Sequence, residues 1–248
     1  MRNACKKAVW SGAALLCGLM ILSSSGQSEV YSVNVVGFQK GSATSNALTM
    51  TSTPFSKTSN NLDGVIGNQL TSGKTDGGAD NVALWDSTNQ TYKRYWLKSS
   101  DTNWYTLAGA RATNVFVTTY DGIWIQSRRA TNQTVVFSGD VPEMDTATNF
   151  LQPGMNLVSY PFSTDIDINS SGLTNGKSGK TDGGADNIAI WDPASQAYTR
   201  YWLKTDRKWY TLAGSLATGV KVGAGRGFWY QNRTNVVFNW VEHRPYTF

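Results

Sequence analysis

Apolar and polar residues alternate over short stretches along most of this chain. NVALW (residues 81–85), TYKRYWL (91–97), NVFVTT (114–119), GIWIQS (122–127) and TVVFS (134–138) are rich in Val, Ile, Thr, Tyr and Trp. Runs of this length and make-up read as strands. Turn clusters bound them: DSTNQ (86–90), SSDTN (99–103) and TTYDG (118–122). Sustained helical periodicity is absent, and only NNLDGVIGNQL (60–70) predicts a helical turn or two. The pattern predicts an all-β protein, sandwich-like or barrel-like.

The strand pattern is written twice. KTDGGADNVALWD, starting at Lys74, returns as KTDGGADNIAIWD at Lys180. YKRYWLK (92–98) matches YTRYWLK (198–204), WYTLAG recurs at Trp104 and Trp209, and GIWIQSR (122–128) matches GFWYQNR (227–233). TVVFSG (134–139) matches NVVFNW (235–240). A unit of about 105 residues is too long for a solenoid repeat and suits a domain. Two tandem homologous β units are expected, residues 29–140 and 141–248. YSVNVVGF (31–38), TVVFSGDV (134–141) and NVVFNWV (235–241) bracket them. Either the middle segment closes the first unit and opens the second, or a linker at residues 139–147 separates independent domains.

Ahead of the repeats stands a targeting segment. Arg2, Lys6 and Lys7 precede an apolar stretch (8–22) and then SSSGQS (23–28), as in a secretory signal peptide over residues 1–28. Both cysteines, Cys5 and Cys17, fall inside it, so the mature chain has no thiol. The expected destination is extracellular or the cell surface, with the periplasm as the alternative. The whole chain has 22 Lys+Arg against 17 Asp+Glu. Loss of the three basic signal residues brings the net charge close to balance. With no basic run, nucleic-acid binding is excluded.

Several of these stretches resemble an uncharacterised family of exported β-rich repeat proteins of Verrucomicrobia-type bacteria. YSVNVVGF, LQPGMNLVSYPF (151–162), the Trp-Asp turn with its Tyr-rich strands, and GRGFWYQNR (225–233) carry the resemblance. The first unit departs from it, since NALTMTSTPF (46–55) lacks the Gly-Met-Asn-Leu form. That family has no established activity, so the resemblance implies export and architecture only.

Candidate chemistry lies in the repeated residues. Eight tryptophans pair across the units: Trp85/Trp191, Trp96/Trp202, Trp104/Trp209 and Trp124/Trp229. Flat aromatics beside cations suit stacking on sugar rings, and they suit a core equally well. Trp104, Tyr105, Trp209 and Tyr210 beside turns, with Arg94, Trp96, Arg200 and Trp202, are the candidate ligand-binding set. TDGGADN offers carboxylates at Asp76, Asp80, Asp182 and Asp186, weak candidates for calcium; a glycine-permitted turn explains the motif better. No cofactor is expected. His243 is the only histidine and no nucleophile elbow occurs, so catalysis is not expected. The leading expectation is an exported non-catalytic protein that adheres to polysaccharide or cell-surface glycan. The alternative is a matrix, coat or filament subunit that self-associates through edge strands. An outer-membrane-associated protein, from the terminal PYTF (245–248), or a glycan-active enzyme comes third.

Overall fold

The computed structural model describes residues 34–248. The expected signal segment and both cysteines lie outside the described residues. Strands dominate, as the alternation predicts. In the first repeat they are β1 (Val36–Ala43), β2 (Leu48–Thr51), β3 (Asn81–Asp86), β4 (Thr91–Leu97), β5 (Trp104–Thr106), β6 (Ile123–Gln126) and β7 (Gln133–Asp140). In the second they are β8 (Thr146–Leu151), β9 (Gly154–Ser159), β10 (Ile166–Asp167), β11 (Asn187–Asp192), β12 (Ala197–Leu203), β13 (Trp209–Thr211), β14 (Lys221–Val222), β15 (Gly227–Asn232) and β16 (Phe238–His243). The helical turn expected in residues 60–70 is α1 (Leu62–Val65), which Asn61 caps by accepting from Gly64 N.

The repeat produces the same antiparallel five-stranded sheet twice. The first has the order β2-β6-β3-β4-β5 and the second β9-β15-β11-β12-β13. Each repeat also owns a two-stranded ribbon, β1 with β7 and β8 with β16. TVVFSGDV therefore pairs with the strand that opens its own repeat, with one further bridge from Asp140 to Ser56 of the same repeat. The second repeat opens with a separate strand, β8. The lobes are nonetheless not independent, because residues 34–248 form one compact unit.

Each sheet covers a core of its own. Tyr95 and Leu97 of β4 pack with Val82, Ile123, Ile125, Trp104 and Phe137 in the first lobe. Tyr201, Leu203, Ile188, Phe228, Tyr230 and Trp209 do the same in the second. Lys93, on the core-facing side of β4, sits at the rim and reaches the Asp86 carboxylate at 2.8 Å. The opposite sheet faces meet each other. Met50, Trp124, Leu157 and Trp229 bury a third cluster, with Trp85 and Trp191 packed against it.

Contacts across this junction follow an approximate two-fold relation. Trp85 meets Trp229 edge-to-face at 5.1 Å, and Trp191 meets Trp124 at 5.0 Å. The Trp85 Nε1–H donates to Met155 O at 2.7 Å, and the Trp191 Nε1–H to Leu48 O at 3.3 Å. Ser159 N donates to Tyr120 O, and Ser52 N to Gly225 O. Gln90 and Gln196 hold the left-handed backbone conformation (φ 51° each) at the tips of their hairpins. Their side-chain amides act as extra peptide groups. Gln90 exchanges two hydrogen bonds with the Met155 backbone, and Gln196 two with Leu48. The outer edges of β9 and β2 are thereby occupied, which manages an otherwise open strand edge. Backbones approach so closely here that a Cβ at Gly122 would lie 2.8 Å from Leu157 Cγ, and one at Gly227 2.9 Å from Thr51 O.

One literal match misleads. In TVVFS, Val135 and Phe137 are buried. In NVVFNW, Val236 and Val237 stand exposed in a turn before β16, while Trp240 and Glu242 take the buried positions. Likeness of letters places this strand a few residues off, and burial sets it right.

Candidate functional site: twin clefts at the lobe junction

The TDGGADN turn is the root of the site. Gly78 N bonds back to Thr75 O and Ala79 N to Asp76 O, closing a tight 3₁₀ turn. Asn81 follows with its side chain locked. Its Nδ2 donates to Asp76 O (3.0 Å) and Ala79 O (2.9 Å), so its Oδ1 points one way only. That oxygen accepts from Arg94 Nη2 at 2.8 Å. The second lobe repeats the arrangement with Asn187, Asp182 O, Ala185 O and Arg200 Nη2, the last at 3.0 Å.

Each arginine opens into a cleft. The first, about 330 Å³, is lined by Asn81, Ala83, Tyr92, Arg94, Trp124 and Gln126 of one lobe and by Trp191 and Tyr198 of the other. The second, about 350 Å³, is lined by Met155, Asn187, Ala189, Tyr198, Arg200, Trp229 and Gln231. Both are at the small end of ligand pockets, ~300–1,000 Å³. Their polar groups correspond one to one: Asn, Arg and Gln beside Tyr and Trp. Among the described residues, the side-chain amides of Gln126 and Gln231 make no hydrogen bond to protein, although both are half-buried. Tyr92 and Tyr198 keep 44% and 42% of their surface exposed, so their rings line the clefts rather than vanish into the junction. Burial of the remainder raises both phenol pKa values. The Trp229 Nε1–H donates to Tyr198 Oη at 3.0 Å, fixing that hydroxyl.

The sequence-predicted residues divide sharply. Arg94 and Arg200 stand in the clefts. Trp104 and Trp209 do not face solvent at all. They are 1% and 0% exposed, at the centres of the lobe cores, and cannot offer a ring face to a sugar. A turn beside a residue in sequence says nothing about which face of the strand the side chain takes. Trp96 and Trp202 are 8% exposed, with their Nε1–H groups donating to Thr106 O and Thr211 O at 3.0 Å. They lean on Tyr105 and Tyr210 at 5.8 and 6.1 Å. Those tyrosines are half-exposed, yet one ring face carries the Lys98 or Lys204 ammonium at 4.7 or 4.6 Å. Their hydroxyls donate to Asp101 and Asp206, which raises the phenol pKa and lowers that of the carboxylate. Sequence reasoning missed Gln126, Gln231, Tyr92 and Tyr198 as cleft residues. Recurrence in both repeats was the signal that pointed to them.

The calcium candidates are spent on structure. Asp80 is fully buried, and its carboxylate accepts from Thr71 N, Arg128 N and Gln133 Nε2. Asp186 accepts from Lys177 N, Arg233 N and Tyr230 Oη. These donors occupy the oxygens a cation would need. Asp76 and Asp182 are exposed, and their contribution to the turn is through backbone oxygens. Among the described residues no group of three His, Cys, Asp or Glu side chains is placed to hold a metal.

A third cleft, about 410 Å³, contains two carboxylates whose pKa values are pushed apart: Asp86 down, chiefly by the Lys93 ammonium, and Asp121 up, by burial. Such a divergence can mark an acid and base pair. Here Asp86 is ion-paired with Lys93, and Asp121 Oδ2 closes a turn by accepting from Thr118 N and Oγ1 at 2.8 Å. His243 lies exposed beside Thr146 Oγ1. The terminal PYTF forms no strand, and Tyr246 packs on Phe162 and donates to Pro142 O. Among the described residues no helix is long and apolar enough to cross a membrane.

Fold and site together define an all-β protein of two homologous lobes in which the same Asn, Arg and Gln set lines a cleft twice, the first with walls from both lobes and the second lined by residues of the second lobe. Comparison with family models, with curated proteins and with solved structures finds no match to this chain.

Proposed function

We propose that this is an exported, non-catalytic binding protein that holds sugar units of a polysaccharide in its two related clefts. One observation carries the reading: the same Asn–Arg–Gln set beside Tyr and Trp is assembled twice, with side-chain amides at Gln126 and Gln231 left without a protein partner. Aromatic rings suit the apolar face of a pyranose, and amides and guanidinium groups suit its hydroxyls. Two modest sites on one chain give avidity for a polymer without any new contact. Assembly by strand donation has less support. The Val36–Phe38 part of the would-be donor strand is already paired with β7 of its own chain.

Pull-down on a panel of neutral and acidic polysaccharides tests the reading. The protein is expected to be retained by at least one of them. Gln126→Ala with Gln231→Ala is expected to weaken retention about tenfold or more, from one lost hydrogen bond per site compounded by bivalency. The far-UV spectrum should not change. Absence of binding across the panel would overturn it.

A further inference from the structure

The clefts say more about their ligand than that it is a sugar. Arg94 is fastened through one nitrogen only, Nη2 to Asn81 Oδ1. Among the described residues no carboxylate lies within ion-pair distance of it. Arg200 has only Asp182, at 3.9 Å. Ion pairs are few in this molecule, Lys93–Asp86 and Arg244–Asp145 at 2.8 Å being the two close ones among the described residues, so it is the locked asparagine and the cleft, more than the missing partner, that set Arg94 apart. A guanidinium that is aimed by a locked asparagine, lies against aromatic walls and lacks a counter-charge is a preformed seat for an anion. Its remaining N–H groups form the planar fork that matches a carboxylate in bidentate fashion. A neutral sugar hydroxyl would leave that charge uncompensated.

We infer that each cleft takes a uronic acid unit of an acidic polysaccharide, its carboxylate on Arg94 or Arg200 and its ring against Tyr92 or Tyr198. This rests on the polysaccharide-binding reading above and narrows it to one ligand class. The repeated TDGGADN turn then has a task. TDGGADN sets the asparagine, the asparagine aims the arginine, and the arginine selects the acid. The two clefts are unequal. Asp182 partly neutralises Arg200, whereas Arg94 has no such neighbour, so the first cleft carries more of the affinity.

The test compares polygalacturonate with its methyl ester, a polymer of the same backbone without the charge. Affinity electrophoresis of the protein is expected to show retardation by polygalacturonate that falls about tenfold or more on esterification. Arg94→Gln is expected to cause a similar loss on the acid and little change on the ester, with Arg200→Gln having the smaller effect. Arg94→Lys keeps the charge and loses the fork, and should restore only part of the binding. Unchanged urea midpoints confirm that each variant is folded; should Arg94→Gln fail to fold, Arg94→Lys and the polymer pair decide the matter. Equal retention by acid and ester would overturn the acidic ligand and leave polysaccharide binding standing. Retention by neither these two nor any polymer of the wider panel would overturn both. Retention that is selective for the acid but indifferent to Arg94 and Arg200 would overturn the assigned clefts.

Discussion

Trp229 and Trp85 lie in different repeats at different repeat positions, yet they meet edge-to-face at 5.1 Å with an interplanar angle of 84°. Trp229 is 7% exposed, also meets Tyr92 at 6.2 Å, and donates through Nε1 to Tyr198. Truncating such a side chain to Ala typically costs about 3–5 kcal/mol. Against a total of ~5–15 kcal/mol for a domain, that is a large fraction. Trp85→Ala also removes the Nε1 bond to Met155 O. An edge-to-face pair contributes ~0.5–1.5 kcal/mol beyond area burial, so the double-mutant cycle between Trp85 and Trp229 should show a coupling of about 1 kcal/mol. Trp124 and Trp191 should couple to the same extent, because their geometry is the two-fold counterpart. Trp85 and Trp191, equivalent in sequence, make no ring contact with each other, and their effects should add within ~0.5 kcal/mol. Urea unfolding followed by far-UV circular dichroism measures all three cycles without relying on tryptophan emission. If Trp229→Ala does not fold, Trp229→Leu replaces it. Additivity for Trp85 with Trp229, or strong coupling for Trp85 with Trp191, would refute the two-fold junction.

Trp104 and Trp209 offer a comparison inside one molecule: the Trp104 Nε1–H donates to Gly67 O at 3.1 Å, whereas the buried Trp209 Nε1 has no partner among the described residues. Replacement by Phe should therefore cost about 1 kcal/mol more at Trp104 than at Trp209, read from urea midpoints, and the reverse order would contradict the assignment. Burial raises the Glu242 pKa, although its Oε1 accepts from Trp240 Nε1 and Gly172 N. The folded protein thus holds this proton more tightly than the unfolded chain does, so stability is greatest below the ordinary glutamate pKa and declines as pH rises toward the raised value. Glu242→Gln keeps an acceptor oxygen and should flatten that decline above the ordinary glutamate pKa of ~4.3, with no loss of stability at neutral pH. A large loss at neutral pH would show that the charged form is required there.

The sequence revealed the class of fold because strand alternation and turn residues are local. It revealed duplication because the repeats are nearly literal. It did not reveal which face of each strand meets what. In TYKRYWL both faces mix aromatic and cationic residues, and only the partner strands decide that Tyr95 and Leu97 enter the core while Tyr92 and Arg94 border a cleft. Trp104 reads as a surface aromatic because WYTLAG ends in a turn, and register with Leu97 carries it inward instead. Gln90 was illegible for another reason. Its partner, the Met155 backbone, belongs to the other repeat, 65 residues away, and no pattern within a strand encodes such a contact.

A single lobe could not form the first cleft. Asn81, Arg94 and Gln126 come from one repeat, but Trp191 and Tyr198 come from the other. Two copies of one lobe associating about a two-fold axis would supply every wall, because an isologous contact presents the same patch from both sides. Joining the copies in one chain replaces that association by an intramolecular one at high effective concentration. It also frees the halves to differ. The buried carboxylate bonded by Gln133 in the first lobe is bonded by Tyr230 in the second. Arg111, bridged to Tyr105, gives way to Leu216, bridged to Tyr210. Asp182 approaches Arg200 within 3.9 Å, with no counterpart ion pair at Arg94 among the described residues. A symmetric dimer would have two identical clefts. This chain has two related clefts that differ in their walls and in the Asp182–Arg200 contact, and such a difference is one only the duplicated form can hold.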